Sequence, residues 1–428
     1  MKRLLSSFVL SMLLLLDCFA AELTIGECVS LARANYPAVA QYGLLEKVKQ
    51  LNLSNVSKMW MPQGSVSAQL TWQNEVAALP EVLTNILSQQ GVDYPGLDKT
   101  QYRIGLDVSQ QIWDGGKAKA NKEAVATGNA VERTALDLQL YDVEGRVEEI
   151  YFSMLLLDEH ISQCDKTMTL VDSTLRQVRS MFANGVAMKS DCDQIESKLL
   201  TLQQQKSRLT ATLVSIRRIM EIFIGESVGA RTLVLPSEDL QAPAEGIHPQ
   251  QRLFDRRIAN LSAQESGIKA AAMPTVNAFA SGYYGYPGYN MFKNMQSRDL
   301  SFNFMVGLKV AWNFSSLYTR GNSLNKLRLQ RSQVESERAT FNFNNSIAIS
   351  ESLGQIASLR EVMRNDDRIV ELRNSVVSAA QSQLDNGIID TTALLSKITD
   401  SELAQNEMAQ HHIELVKAIY NLNHLRNR

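Results

Sequence analysis

After its first 21 residues this 428-residue chain has no run of roughly 18 consecutive apolar side chains, so no later segment reads as a membrane-crossing helix. Any crossing of a bilayer has to be made of strands. Charge of either sign is not in excess, with 43 Lys and Arg against 45 Asp and Glu, which excludes a nucleic-acid surface. Proline is scarce at 9, as long unbroken helices require. Cysteine numbers only 4, and beyond Cys18 the chain keeps Cys28, Cys164 and Cys192. That odd number argues against a disulfide framework, and the three read as small apolar residues. There is no phosphate loop and no nucleophile motif, and His160, His248, His411, His412 and His424 lack metal-ligand spacing with Cys or Asp. Neighbours such as His411 and His412 point about 100° apart on a helix and cannot chelate one ion together, which leaves a solvated or inter-helix position. The chain is expected to be no enzyme, with no metal and no cofactor.

What is present begins with a secretory signal peptide over residues 1–21. Lys2 and Arg3 precede an apolar run from Leu4 to Leu16, and small residues Ala20 and Ala21 follow, with cleavage expected beside them. Asp17 before Cys18 does not suit a lipoprotein signal. Further on, Leu136, Leu140, Val143, Val147, Ile150, Met154, Leu157, Ile161, Cys164, Met168, Val171, Leu175, Val178 and Phe182 alternate in steps of four and three. That is a heptad seam. Extended back to Lys117 it predicts one helix of about 65 residues, roughly 100 Å long at 1.5 Å per residue.

Offsets between landmarks reveal a doubling. Pro37 and Pro249, like Pro62 and Pro274, are 212 residues apart; Gly105 and Gly307, like Gly185 and Gly387, are 202 apart. Two internal repeats follow, 22–224 and 249–428, joined by a linker at 225–248. In the first, residues 26–59 read as a helix, and strands are expected at about 63–72 and 101–113. A long helix at about 115–182 and a return helix at about 188–224 complete it. In the second, another helix precedes strands at about 274–283 and 299–313, a long helix at about 320–385 and a return helix at about 391–426. The strands alternate polar and apolar residues. Leu300, Phe302, Phe304, Val306, Leu308, Val310 and Trp312 share one face, as a tilted strand facing lipid or a sandwich strand would require. Trp60, Trp72, Trp113 and Trp312 all fall at or beside strand ends, where the aromatic girdle of a membrane barrel sits. Seam positions of the second hairpin are more polar, with Ser401, Gln405 and His412 among Ile398, Met408 and Leu415.

Four strands cannot close a barrel, and an open edge is forbidden in lipid, so strands must be pooled between copies. Three copies give a twelve-stranded barrel wide enough for a pore; two give eight strands, filled by their own side chains. The fold class expected is mainly α with a transmembrane β-barrel, continued by a long α-helical coiled-coil tunnel.

With Leu31-Ala32-Arg33-Ala34-Asn35-Tyr36-Pro37, Pro62, Ile112-Trp113-Asp114-Gly115-Gly116 and the turns Asn184-Gly185 and Asn386-Gly387, the chain resembles the outer-membrane efflux protein family, the TolC-like exit ducts. The resemblance implies a homotrimer in the cell outer membrane, with twelve strands and twelve tunnel helices and a periplasmic end closed at rest. As partners it implies outer-membrane lipid, a periplasmic adaptor protein and an inner-membrane exporter of RND or ABC type. The function implied is a passive exit channel of a tripartite efflux or type I secretion system. The rival reading is a periplasmic coiled-coil structural or adaptor protein outside the membrane. Two departures stand out: Asn313-Phe314-Ser315-Ser316 replaces the double glycine at the second strand-to-helix junction, and little sequence follows the last helix for a belt around the tunnel.

Candidate sites lie around the two turns. Asn184, Gly185, Val186, Asn386, Gly387 and Ile388 either meet the adaptor or merely turn the chain, since glycine suits the left-handed helix end. Family members place aspartates six and nine residues after the turn glycine, where this chain has Ala393 and Ser396. Asp390, supported by Asp191, Asp385 and Asp193, is the candidate gate, because acidic rings select for cations. The alternative is that these aspartates simply start helices.

Overall fold

The computed structural model describes residues 22–229, 231–238 and 246–426. The expected signal peptide and residues 239–245 of the expected linker lie outside them.

The chain opens with α1 (Ile25–Asn35), started by Thr24, whose hydroxyl accepts from the backbone N–H of Glu27. The sequence pattern had one helix over 26–59, but the helix stops at Tyr36, which is extended (φ −62°, ψ 125°). The cause is Pro37, whose ring drives the preceding residue out of the α region. A short 3-10 turn, Pro37–Val39, leads into α2 (Ala40–Lys58). There follow β1 (Gln63–Trp72), α3 (Glu81–Gln89), β2 (Thr100–Trp113), the 67-residue α4 (Lys117–Ala183) and α5 (Lys189–Ile224). Next come α6 (Pro249–Ala271), β3 (Thr275–Tyr286), α7 (Met291–Gln296) and β4 (Ser301–Ala311). The chain finishes with α8 (Ser315–Met363), α9 (Asp366–Asp385) and α10 (Thr391–Arg426).

A single helix over 320–385 is therefore corrected to two, divided at Arg364-Asn365. No proline or glycine marks the break. The N–H groups of Arg364 and Asn365 reach back only three residues, to Glu361 and Val362, and Ile369 restarts the ladder on the Asn365 carbonyl at 2.8 Å. Asp366 and Asp367 occupy the first turn of α9, where the dipole favours acidic side chains.

The described residues form two compact units: residues 22–42, 133–229, 231–238, 246–253 and 337–426, and residues 43–132 and 254–336. In the first, Leu23, Ile25, Cys28 and Ala32 pack with Val147, Tyr151, Phe152 and Met154 of α4, Leu213 and Met220 of α5, and Ile413 and Val416 of α10. Tyr151 fastens the segment beyond α5 to this core: its hydroxyl lies 2.6 and 2.7 Å from the Leu23 and Val234 carbonyls and accepts from Val234 N–H at 3.0 Å. Burial pushes the Cys28 thiol up to about 11, so it stays an inert apolar group.

In the second unit, one antiparallel sheet has the order β1-β2-β3-β4, interrupted by a bulge between Gln111 and Trp113. At the junction into α4 the buried Asp114 accepts from Gly116 N–H at 2.8 Å and Ala118 N–H at 2.6 Å. Into α8 the same task falls to Asn313, which accepts from Ser315 N–H at 3.1 Å, so both junctions carry a side-chain cap although only the first has a double glycine.

Candidate functional site

The pairing register decides how the sheet can meet its surroundings. Val66 faces Leu106, Val108 faces Ala280, and Ala280 faces Val306; one step along, Ala68, Ile104, Tyr284 and Phe302 form another row. Side chains directly opposite share a face. One face therefore carries Val66, Leu70, Ile104, Leu106, Phe302, Phe304, Val306, Leu308 and Val310, all exposed, with the β4 residues near 70 %. The other carries Ser65, Ser67, Gln69, Arg103, Asp107, Ser281, Asn303 and Lys309, knitted by hydrogen bonds from Arg103 to Gln69 (3.0 Å) and from Ser281 to Asp107 (2.6 Å). On this polar face Phe279 and Tyr283 of β3 stand opposite glycines of the adjoining strands. A Cβ at Gly307 would stand 2.9 Å from the Phe279 ring, and one at Gly105 would stand 3.3 Å from the Tyr283 Cβ.

The four tryptophans bracket the sheet unevenly. Trp72 lies at the loop end of β1 beside Thr100, whereas Trp113 lies at the other end of β2, opposite Val276. Trp60 precedes β1 and Trp312 follows β4 at that same helix-proximal end, where Trp312 donates to the Ala272 carbonyl at 3.0 Å. All four are exposed.

In the first unit, the far ends of two helical hairpins come together. Cys164, Val171, Leu175 and Val178 of α4, Ile195 and Leu202 of α5, Val377, Ala380 and Leu384 of α9, and Leu394 and Ile398 of α10 share one core. Both turns close alike. Val186 N–H bonds to the Met181 carbonyl at 2.9 Å and Ile388 N–H to Gln383 at 2.8 Å, around Gly185 (φ 75°) and Gly387 (φ 68°). This is the left-handed helix stop that glycine accommodates. Asn184 and Asn386 donate to the carbonyls four residues back, at 2.9 and 2.7 Å. Val186 and Ile388 are left about 70 % exposed at the tips.

Each candidate aspartate has a place. Asp390 is exposed and accepts from Ala393 N–H at 2.8 Å, which makes it the N-cap of α10. Asp191 closes a capping box on Met188 N–H (2.8 Å) and accepts from Thr391 Oγ1 (3.0 Å), tying the two hairpins together. Asp385 accepts from Gln177, a second tie between hairpins, and Asp193 is exposed on α5. Gln177 also accepts from Gln381 at 2.9 Å, and Gln194 accepts from Thr391 and Thr392 at 3.2 and 2.9 Å. Sequence reasoning missed these bridging residues, because only the pairing of hairpins gives them a role. His411 Nδ1 sits 2.9 Å from Asp366, an inter-helix position, and His412 Nε2 lies 3.6 Å from Glu238. Among the described residues, no helix is long and apolar enough to cross a membrane, and no cluster of His, Cys, Asp and Glu is arranged to hold a metal ion.

No protein-family model matches the chain. No curated protein matches it either. Solved structures do. The outer-membrane channel OprN is similar at TM-score 0.70 and 14 % identity, covering 94 % of this chain and 90 % of that one. The outer membrane protein VceC of Vibrio cholerae is similar at TM-score 0.68 and 11 % identity, covering 93 % and 96 %. The MtrE outer membrane channel of Neisseria gonorrhoeae, in its open state, is similar at TM-score 0.66 and 13 % identity, covering 94 % and 88 %. Mainly helical, with one four-stranded sheet, this chain has the fold of the TolC-like outer-membrane efflux channels.

Proposed function

We propose that the protein is an outer-membrane exit channel, a passive conduit for substrates handed over by an inner-membrane pump through a periplasmic adaptor. The observation that carries this reading is the apolar face of a four-stranded sheet whose outer strands, β1 and β4, have no further strand beside them among the described residues. Exposed apolar rows of that extent cost too much in water, and unpaired edges cost too much in lipid. Three copies pooling their strands satisfy both conditions. The apolar rows then face lipid, the polar face lines the bore, and the tryptophans mark the bilayer boundaries. The internal doubling, 22–224 and 249–428 around the linker 225–248, supplies each copy with two strand pairs and two hairpins.

Within this reading the tips carrying Val186 and Ile388 are the adaptor contact, and Asp390 with Asp191, Asp385 and Asp193 rings the narrow end. Outer-membrane fractionation followed by native mass spectrometry in mild detergent tests the whole. A trimer in the outer-membrane fraction is expected, and a stable monomer found only in the soluble periplasm overturns the reading in favour of a periplasmic coiled-coil protein. For the tips, Val186→Trp with Ile388→Trp is expected to weaken co-purification of the adaptor while the trimer persists. Co-purification at the parent's level would place the contact elsewhere.

A further inference from the structure

The loop end of the sheet, away from the Asp114–Gly116 junction, carries more apolar surface than its own chain covers. Within one chain the β1–β2 loop and the β3–β4 loop are already docked. Leu97, Tyr286 and Met295 form a small core with Val76, Leu79 and Tyr94, and Tyr286 Oη accepts from Asp98 N–H at 2.8 Å. Arg298 pairs with Asp98 at 3.1 Å. Outside that core, α3 exposes Val82 (70 %), Leu83 (47 %) and Ile86 (49 %), spaced to share one side of the helix. The β3–β4 loop in turn exposes Met291 (50 %), Phe292 (65 %) and Tyr289 (50 %).

We propose that in the assembled channel α3 of one copy packs against Tyr289, Met291 and Phe292 of the next copy, forming an intersubunit apolar crown at the mouth of the barrel. The inference rests on the pooled-strand reading above and adds a contact which that reading does not require. Strand order supplies the geometry. Neighbouring strands lie about 4.8 Å apart, so β1 stands about 14 Å from β4 of its own chain but one spacing from β4 of the neighbour. The loops leaving those two strands at the same end are thereby brought side by side. Charge is compatible with the pairing: apart from Asp98 and Arg298, which pair within one chain, residues 73–99 hold Glu75, Glu81 and Asp93 against Lys99, whereas residues 287–300 hold Lys293 against Asp299. Glu81 on the first loop and Lys293 on the second are both exposed, with the charges to flank such an apolar seam.

Cys28, Cys164 and Cys192 are buried, and Cys18 falls in the expected signal peptide, which leaves a clean background for cross-linking. A chain carrying Val82→Cys and a differently tagged chain carrying Phe292→Cys are to be co-expressed, oxidised as intact trimers and analysed without reductant. Covalent dimers containing both tags are expected, and the pair Ile86→Cys with Met291→Cys should behave likewise. Native mass spectrometry of the same samples separates the two levels of failure. Trimers without a mixed-tag band in either pair overturn the crown and leave the channel reading standing, whereas absence of trimers overturns the reading beneath it. Quenching of a fluorophore on Val82→Cys by a bilayer-resident quencher would place this face of α3 in lipid and overturn the crown.

Discussion

The hairpins α4–α5 and α9–α10 turn with the same backbone geometry and are held together by different chemistry. In the first, the seam is apolar, with Cys164, Val171, Leu175, Val178, Ile195 and Leu202 buried, and its ion pairs Lys206–Asp165 and Arg179–Glu196 sit outside it. In the second, polar groups enter the seam. The amide oxygen of Asn374 accepts from Ser401 at 2.8 Å and from Gln405 at 2.9 Å, Arg373 pairs with Asp400 at 3.2 Å, and His411 meets Asp366. Apolar contact is non-directional and tolerates small slides, whereas hydrogen bonds fix register and can be exchanged for water. The first hairpin is thus secured by volume, and the second by register.

The largest test of this difference truncates each seam. Leu202→Ala should cost about 2–5 kcal/mol, through lost transfer energy and a residual cavity. Asn374→Ala should cost only about 1 kcal/mol, since water can serve much of what is lost. Chemical denaturation of both variants makes the comparison. Equal costs would mean that the two seams are not different in kind. The triple variant Asn374→Leu, Ser401→Ala and Gln405→Leu should be neutral or stabilising, because all three members of the polar contact are removed together.

Glu148 on α4 is an exception within the first hairpin's long helix. Burial, reinforced by Glu144, raises its pKa from 4.5 to about 7. The native state then holds a proton that the unfolded state has released, so this group's contribution to stability falls as pH rises from 4.5 through 7. Glu148→Gln should raise the thermal midpoint by a few degrees at pH 8 and leave it unchanged at pH 4. The same gain at both would show that the effect is not ionisation. His248 and His424 work in the opposite sense, since burial lowers both from 6.5 and their contribution is lost as pH falls below it, which is why each pH needs the parent beside the variant.

The smallest effect is expected at the N-cap. Asp390→Ala should cost about 1 kcal/mol of stability. In the proposed channel it should also lower cation selectivity in single-channel recordings, by removing one carboxylate per copy. A stability cost with unchanged selectivity would leave Asp390 as a helix start alone.

Much of this was legible in the sequence because the relevant interactions are local. The β4 alternation follows directly from a period of two, and Asn-Gly at both turns announces a left-handed helix stop. Other features were decided by contacts between segments. Nothing near Arg364 signals a helix break in composition; the break is recognised only once Asp366 is seen opposite His411. The pattern over 26–59 contained its own interruption in Pro37, but the apolar spacing ran on past it. The ties Gln177–Asp385 and Thr391–Asp191 join residues about 200 positions apart, where no periodicity reaches.

The glycines beside the β3 aromatics shape the polar face of the sheet. Phe279 and Tyr283 are the bulkiest groups on the β3 side of that face, and each is accommodated because the strand beside it gives up a side chain, at Gly307 and Gly105. In the proposed barrel, clearance along this face would follow from how flat the Phe279 ring lies. An alanine at Gly307 would put a carbon 2.9 Å from that ring and push it off the sheet, so the calibre of such a duct would turn on a hydrogen atom where any other residue has a carbon.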